Sequence, residues 1–191
     1  MSTSIRNTQI HSVERAGALE SSFRFKFQNP KKIVEPYIKP GMTVLDLGCG
    51  PGFFTTEIAR LLDGSGKVIA ADIQDGMLAL LRQKMTGSDL EPMIQIHKCQ
   101  EKNLHLSEKV DFVLAFYSLH EMRCLDNILD EIKFLLKPNG KIFIAEQKYH
   151  VSKSTFSEII CKMEKKGFEI TRQPKVFISR AIVMKMKIPN K

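Results

Sequence analysis

From residue 42 onward, short apolar runs alternate with segments in which apolar residues recur at helical spacing. Apolar runs of five or six residues bounded by turn residues are typical of buried strands, and the longer segments between them are typical of amphipathic helices. Alternating strands and helices predict an α/β fold with a Rossmann-like, mostly parallel sheet and helices on both faces. The predicted strands are 42–47, 67–71, 92–97, 111–116 and 141–146, and the predicted helical segments are 51–62, 74–85 and 124–136.

The C-terminal third departs from this alternation. Thr155 and Glu158 have the spacing of a capping box, a helical apolar pattern follows them, and Gly167 is a typical helix stop. Two apolar runs, 168–171 and 176–186, are then joined by only four residues, 172–175. Such a short connection predicts a hairpin, so the seventh and last strand should run antiparallel to its neighbours. A tight turn at 138–140 is expected to lead into the fifth strand.

Residues 1–40 form a separate N-terminal segment in this interpretation, before the domain at 41–191. Phe23, Phe25 and Phe27 alternate with basic residues, and 30–38 has the character of a short helix. Period-2 aromatic spacing fits two structures equally well. The segment is either a lid over the active site or an extra strand that packs its phenylalanines into the core.

Composition narrows the class of protein. At 191 residues the chain is long enough to form one full hydrophobic core. Its contents of 43% hydrophobic and 26% charged residues are ordinary for a globular domain. No apolar run is long enough to cross a bilayer, and the first residues lack a signal core, so a cytoplasmic location is expected. The four cysteines are scattered without paired-ligand spacing, so neither a metal site nor a disulfide framework is expected.

The net charge of +8 is unevenly distributed. Residues 1–40 carry seven Lys/Arg and three Asp/Glu residues. Residues 41–131 carry eight basic and fourteen acidic residues, and residues 132–191 carry fourteen basic and four acidic residues. The acidic middle suits a cationic ligand in sign. The basic end lacks the aromatic and glycine signature of RNA-binding modules, so nucleic acid is not the expected partner and a solvated surface is favoured.

The most informative stretch runs from Val44 to Gly52, where a buried strand enters a glycine-rich turn. A second apolar run ends on Asp72, twenty residues later, which is where a carboxylate can bind ribose hydroxyls. The turn is not a dinucleotide fingerprint, because Phe53 stands where the third glycine would be, and it lacks a Walker lysine. The pattern therefore predicts a nucleoside ligand without phosphate.

Four motifs in order carry a family resemblance: 46–52 (DLGCGPG), Asp72, 110–115 (VDFVLA) and 136–140 (LKPNG). They resemble class I S-adenosylmethionine-dependent methyltransferases, and most closely the small-molecule group that includes the quinone-biosynthesis methyltransferases. The resemblance covers roughly residues 40–185. It implies S-adenosyl-L-methionine as cofactor, S-adenosyl-L-homocysteine as product, and a seven-strand sheet with the same antiparallel ending.

The resemblance also assigns roles to individual residues. Asp46 is expected to help hold the amino group of the cofactor, although it could instead only brace the turn. Asp72 is expected to bind the ribose, although it could instead be a helix N-cap. Cys99 stands where many members have an aspartate that accepts from the adenine, and a thiol is a poor acceptor. The full expected cofactor set is Asp46, Gly48, Cys49, Gly50, Gly52, Asp72, Ile73, Met77, Cys99, Gln100 and Phe116.

The segment after the fourth strand is expected to line the point of methyl transfer. His120 is a candidate general base because it titrates near neutral pH, although it could instead cap or pack the following helix. Tyr117 is a comparable candidate for orienting the acceptor. The phenylalanines of the N-terminal segment favour an apolar or aromatic small-molecule acceptor.

Two other functions are compatible with parts of the pattern. A nicotinamide-dependent oxidoreductase would use a similar fold, but Phe53 and the antiparallel ending disfavour it. A non-catalytic module is the other possibility. It would bind a cofactor at the same glycine turn, or RNA through the basic C-terminal third, without catalysing a reaction. The methyltransferase interpretation accounts for all four motifs.

Overall fold

The computed structural model describes residues 28–187. The lid or extra-strand prediction for Phe23, Phe25 and Phe27 therefore lies outside the described residues. Strands are β1 Thr43–Leu47, β2 Lys67–Asp72, β3 Ile94–Lys98, β4 Val110–Phe116, β5 Leu136–Gln147, β6 Phe168–Arg172 and β7 Ser179–Met186. Helices are α1 Pro30–Val34, α2 Thr55–Leu61, α3 Asp75–Met85, α4 Leu125–Leu135 and α5 Lys153–Lys165.

The seven strands form one sheet in the order β3-β2-β1-β4-β5-β7-β6. The β1–β2, β1–β4, β2–β3 and β4–β5 pairs are parallel, whereas β7 is antiparallel to both β5 and β6. The predicted Rossmann-like sheet with its antiparallel last strand is confirmed. The order reverses beside β1, and ligands of open α/β sheets bind at the carboxyl ends of the strands at such a point.

Helices cover both faces of this sheet because the central strands are apolar on both sides. Along β1, Val44 packs into one hydrophobic layer and Leu45 into the other. Side chains of α1 and α2 fill the Val44 layer, and side chains of α4 and α5 fill the Leu45 layer. This double coverage fixes the ends of β1, β2 and β4, from which the functional residues extend.

Three local predictions need correction. Helix α5 begins at Lys153, and its N-cap is Ser152, whose Oγ accepts a hydrogen bond from the backbone N–H of Thr155 at 3.0 Å. The predicted capping box starting at Thr155 is therefore wrong, because the first turn of α5 is polar and the apolar periodicity begins only after it. Similarly, β7 begins at Ser179 instead of 176, since a turn with Ile178 at φ 52° precedes it.

The third correction concerns the turn at 138–140. It lies inside β5, where Asn139 has φ 67° and the pairing with β4 shifts register between Val110 and Phe112. A turn of this kind within a strand is a bulge-like interruption, not the boundary that the sequence predicts. Within residues 28–187, no helix combines the length and the apolar character that a bilayer span requires.

Candidate active site

A cavity of about 420 Å³ opens where β1, β2, β3 and β4 end. This volume lies within the range of small-molecule and cofactor sites. Ten of the eleven residues predicted to bind the cofactor line the cavity, and so does Tyr117. The ten are Asp46, Gly48, Cys49, Gly50, Asp72, Ile73, Met77, Cys99, Gln100 and Phe116.

The glycine turn after β1 is fixed to the end of β2. The backbone N–H groups of Gly48 and Cys49 both donate to the carbonyl oxygen of Ala71, at 2.8 and 3.1 Å. Gly48 has φ 75°, and a Cβ on it would lie 2.4 Å from Cβ of Ser118. Only glycine fits there, because the turn passes directly over the residues that follow β4.

Gly50 has a different environment within the same turn. A Cβ on Gly50 would meet nothing within 4 Å, and Gly50 lines the cavity. The backbone at Gly50 is thus open to a ligand. A bulky cofactor can approach this part of the main chain without displacing protein atoms.

Asp72 joins the end of β2 to both the turn and the next helix. Its Oδ2 accepts from the backbone N–H of Gly50 at 2.9 Å, and its Oδ1 accepts from the backbone N–H of Gln74 at 2.8 Å. The N-cap of α3 is Gln74, so Asp72 is not the N-cap itself, although it does bond to that residue. Each carboxylate oxygen retains a lone pair that can accept a ribose hydroxyl from the cavity.

Burial sets the protonation behaviour of Asp72. Desolvation raises the pKa of this carboxyl above its ordinary value, against the opposing effects of backbone hydrogen bonds and the charge of Lys98. A desolvated carboxylate gains strongly from additional hydrogen-bond donors. The two adjacent hydroxyls of a ribose are donors of this kind.

Asp46 is almost completely buried at the end of β1. The hydroxyl of Thr55 donates to Asp46 Oδ2 at 2.6 Å, which connects β1 to the start of α2. Asp46 thus braces the turn, as the alternative interpretation expects. It also lines the cavity, so a role towards the cofactor stays a prediction.

Two buried thiols, those of Cys49 and Cys99, line the cavity. Burial raises the pKa of Cys99 to about 12, with the charges of Asp72 and Glu131 adding to the effect. Burial likewise raises the pKa of Cys49 well above its ordinary value. Both side chains are therefore neutral thiols near neutral pH. All four cysteines are free, and within residues 28–187 no three His, Cys, Asp or Glu side chains are grouped as metal ligands.

Gly52 and His120 are the two predicted site residues that do not line the cavity. A Cβ on Gly52 would lie 2.5 Å from Cδ1 of Leu81, so this glycine serves the close packing of the turn on α3. Its predicted contact with the cofactor has no support in this geometry. The general-base role of His120 stays a prediction, and so does the alternative that it caps or packs the following helix, whose N-cap is Cys124.

His120 instead forms an ion pair behind the cavity wall. Its Nδ1 lies 2.7 Å from Oε2 of Glu146, and its backbone N–H donates to Oε1 of Glu146 at 3.2 Å. Burial alone would lower the pKa of His120. The hydrogen bond and charge of Glu146, together with the charge of Glu121, outweigh burial and raise that pKa above its ordinary value.

Tyr117 occupies a backbone conformation that non-glycine residues rarely adopt. Its φ is 64°, and its hydroxyl hydrogen-bonds with Oγ of Ser179 and with the side-chain amide of Gln28. The amide of Gln28 also donates to the carbonyl oxygen of Phe177 at 3.2 Å. These contacts hold Tyr117 in the cavity wall in spite of its backbone strain.

Sequence reasoning missed part of the wall, namely Gln28, Phe54, Gln147, Phe177 and Ile178. For Phe177 and Ile178 a signal existed. The start of an antiparallel strand lies at the same sheet edge as the ends of its parallel neighbours, so residues just before β7 must lie near the cavity. Gln28 has no local pattern that could have placed it there.

Comparison with known proteins gives consistent results. The family model for a methyltransferase domain matches residues 38–186. Demethylmenaquinone methyltransferase of Lactobacillus johnsonii is 33% identical over 128 residues, which is 66% of this chain and 50% of that protein. The ubiquinone/menaquinone biosynthesis C-methyltransferase of Bordetella avium is 32% identical over 110 residues, 57% of this chain and 42% of that protein. The chain thus spans about half of the length of these curated relatives.

Among solved structures, a SAM-dependent methyltransferase from Aquifex aeolicus superposes with a TM-score of 0.82. The alignment covers 92% of this chain and 98% of that one, at 24% sequence identity. At this identity the likeness supports the fold alone.

Proposed function

Because this chain belongs to the methyltransferase-domain family, we propose that it transfers the methyl group of S-adenosylmethionine to a small, largely apolar acceptor. One observation carries the proposal. The glycine turn after β1 and the buried carboxylate of Asp72 are hydrogen-bonded to each other, and both line the same cavity. This arrangement places the accessible backbone of Gly50 beside the carboxylate of Asp72, which can accept hydrogen bonds from ribose hydroxyls.

The residues present fit an adenosyl cofactor. In this proposal Asp72 accepts the two ribose hydroxyls, and the open backbone at Gly50 faces the methionyl part. Ile73 and Met77 supply apolar contacts for the adenine, while the thiol of Cys99 fills space without accepting a hydrogen bond. Phe53 also lines the cavity, so an aromatic ring stands where a dinucleotide site would need a glycine.

The cofactor would supply a methyl group that is already activated by the positive charge on sulfur. The protein must then align the acceptor with that methyl and keep water away. Phe116 is the last residue of β4 and Tyr117 follows it. Their ring centroids are 4.3 Å apart, and both side chains are suited to these tasks. The hydroxyl of Tyr117 can orient a polar group of the acceptor.

The walls of the cavity favour an aromatic acceptor. Phe54 and Phe116 lie with ring centroids 4.4 Å apart, and Phe177 stands at the rim with 53% of its surface exposed. Flat apolar rings pack well against such a wall. The names of the curated relatives point in the same direction, since one is a demethylmenaquinone methyltransferase and the other a ubiquinone/menaquinone biosynthesis C-methyltransferase. We therefore propose a reduced quinone or a similar hydroxylated aromatic ring as the acceptor class.

The N-terminal segment at 1–40 is proposed as part of the acceptor site. Gln28, which belongs to this segment, is buried and lines the cavity between Tyr117 and Phe177. This placement supports the proposed lid.

Two measurements test the proposed function. Titration calorimetry should show binding of S-adenosylhomocysteine and no binding of NAD; tight NAD binding without S-adenosylhomocysteine binding would refute it. Purified protein should then transfer tritium from methyl-labelled S-adenosylmethionine to reduced demethylmenaquinone or to a simple dihydroxynaphthalene. Binding without any transfer across a panel of aromatic, amine and carboxylate acceptors would favour the non-catalytic module.

A further inference from the structure

Two adjacent residues of the turn after β4 differ in their relation to the cavity. The turn is a short 3₁₀ helix, Leu119–Glu121. Glu121 lines the cavity, whereas His120 is paired with Glu146 of β5 behind it. The imidazole lies between two carboxylates, with Nδ1 2.7 Å from Glu146 Oε2 and Nε2 3.8 Å from Glu121 Oε1.

Glu146 explains why the imidazole is held in this position. Its side chain is 0% exposed, and its two oxygens accept hydrogen bonds from the backbone N–H and from the ring Nδ1–H of His120. A fully buried carboxylate is stable only with a cation or strong donors beside it. The pair fixes the ring plane and directs Nε2 towards Glu121.

Glu121 lines the cavity with only 21% of its side chain exposed, and its Oε1 lies 3.8 Å from Nε2 of His120. Burial raises the pKa of Glu121, the positive charge of His120 lowers it, and the negative charges of Glu146 and Asp72 raise it, so that the pKa lies above its ordinary value. A carboxylate shifted towards the working pH is better matched to accept a proton during a reaction. The neighbouring imidazole keeps the ionised form accessible.

We propose that Glu121 is the general base of the methyl transfer, and that His120, held by Glu146, positions it and stabilises its ionised form. This proposal rests on the proposed function and deepens it, because a base is needed only by acceptors that lose a proton on methylation. It replaces His120 with its neighbour as the group that touches the acceptor, since His120 does not line the cavity.

The step is balanced without any further reactant. The acceptor's O–H bond breaks, and its proton goes to a carboxylate oxygen of Glu121. The electron pair left on the acceptor forms the new bond to the methyl carbon. The electrons of the carbon–sulfur bond stay on sulfur, and Glu121 later releases its proton to solvent through the open side of the cavity.

Other charged groups share this cavity and must be considered in any pH dependence. Asp72 of β2 faces it from one side, and Glu101 and Arg123 form a 3.7 Å ion pair at its edge. His150, after β5, also lines the wall. Of the described charged groups that line the cavity, Glu121 is the one whose carboxylate lies within 4 Å of the imidazole of His120.

The first test measures the coupling and needs no acceptor. The full-length protein is labelled with ¹⁵N-histidine, and the pKa of His120 is followed by NMR, with the resonance assigned from His120→Gln. Glu121→Gln should lower the pKa of His120, because it removes a neighbouring negative charge, and Glu146→Gln should lower it further. An unchanged His120 pKa in Glu121→Gln overturns the proposal, whether or not an acceptor has been identified.

The second test measures catalysis with dihydroxynaphthalene and tritiated S-adenosylmethionine. Glu121→Gln should lower kcat by about 100-fold or more and abolish the acid limb of the kcat profile. Glu121→Asp should retain part of the rate, and Glu164→Gln on the exposed face of α5 should behave as wild type. A raised KM with unchanged kcat in Glu121→Gln would make Glu121 an acceptor-binding residue and overturn its role as a base.

Binding of S-adenosylhomocysteine separates this proposal from the one on which it rests. Glu121→Gln should bind S-adenosylhomocysteine within about threefold of wild type, a difference of less than about 0.7 kcal/mol. If wild-type protein fails to bind it, the proposed function fails. If the wild type binds and turns over while Glu121→Gln keeps its rate, only the role of Glu121 fails.

Discussion

The carboxylate of Asp72 accepts a hydrogen bond from the backbone N–H of Gly50 at 2.9 Å, which ties the end of β2 to the glycine turn after β1. The same side chain bonds the backbone N–H of Gln74 at 2.8 Å. Asp72 thus aligns the two elements that would hold an adenosyl group, and it is oriented before any ligand arrives. Pre-oriented acceptors bind with little loss of side-chain entropy.

Asp72→Asn should weaken S-adenosylhomocysteine binding by about 10- to 100-fold, or about 1.4 to 2.8 kcal/mol. The amide has only one acceptor oxygen, so it cannot serve Gly50, Gln74 and a ribose together. Calorimetry measures the loss. Asp75→Asn is the matched control, because Asp75 is 88% exposed and pairs only with Lys98 among the described residues. Equal affinity in wild type and Asp72→Asn would contradict the assigned role.

Two glycine substitutions in one turn should have separable effects. Gly48→Ala places a Cβ 2.4 Å from Ser118 at a φ of 75°, so it should destabilise the fold by about 2 to 4 kcal/mol. Gly50→Ala meets no protein atom within 4 Å, so it should cost only about 1 kcal/mol of stability yet reduce ligand affinity. Urea unfolding and calorimetry measure the two effects. If Gly50→Ala destabilised the fold more than Gly48→Ala, the glycine turn would not have the placement described above.

Glu146→Gln should destabilise the protein in a pH-dependent way. The folded pKa of His120 is raised above its ordinary value of 6.5. The His120–Glu146 pair therefore contributes its full stabilisation below about pH 6.5, and this contribution is lost as the pH rises through the folded pKa of His120. The loss at low pH should be somewhat below the roughly 3 to 5 kcal/mol typical of fully buried pairs, because His120 is partly exposed.

Urea unfolding of wild type and Glu146→Gln at a series of pH values provides the measurement for this pair. The difference in unfolding free energy should shrink as the pH increases. Glu164→Gln has the same change in formal charge on an exposed helix position and should show little difference at any pH. A difference that grows with pH would mean that His120 is neutral in the folded protein.

Alkylation should distinguish the cysteines by their environment. The pKa of Cys99 is raised to about 12 and that of Cys49 is raised well above its ordinary value, so both carry little thiolate near neutral pH. Cys161 is exposed and should react first with iodoacetamide, as peptide mass spectrometry can show. All four should react after denaturation. Rapid labelling of Cys99 in the native protein would contradict its placement.

The sheet and the cofactor end of the site were predictable because they depend on local pattern. Val44 to Gly52 combines a buried strand with a turn whose glycines are required by backbone geometry, and both features are visible in the residue types. The start of α5 was not predictable in the same way. Its cap, Ser152, precedes a polar turn, so the apolar periodicity that marks the helix begins too late.

The residues themselves determine the alternation of strands and helices, the glycine turn and the acid at the end of β2, because burial and backbone geometry constrain each of these locally. Only the tertiary structure decides that His120 lies against Glu146, 26 positions away, while Glu121 lines the cavity. It likewise joins Tyr117 to Ser179 and Gln28, which are 62 and 89 positions distant. The reason is physical: the side that a turn residue faces depends on the strands that pack beside it, and no neighbouring residue in the sequence encodes that choice.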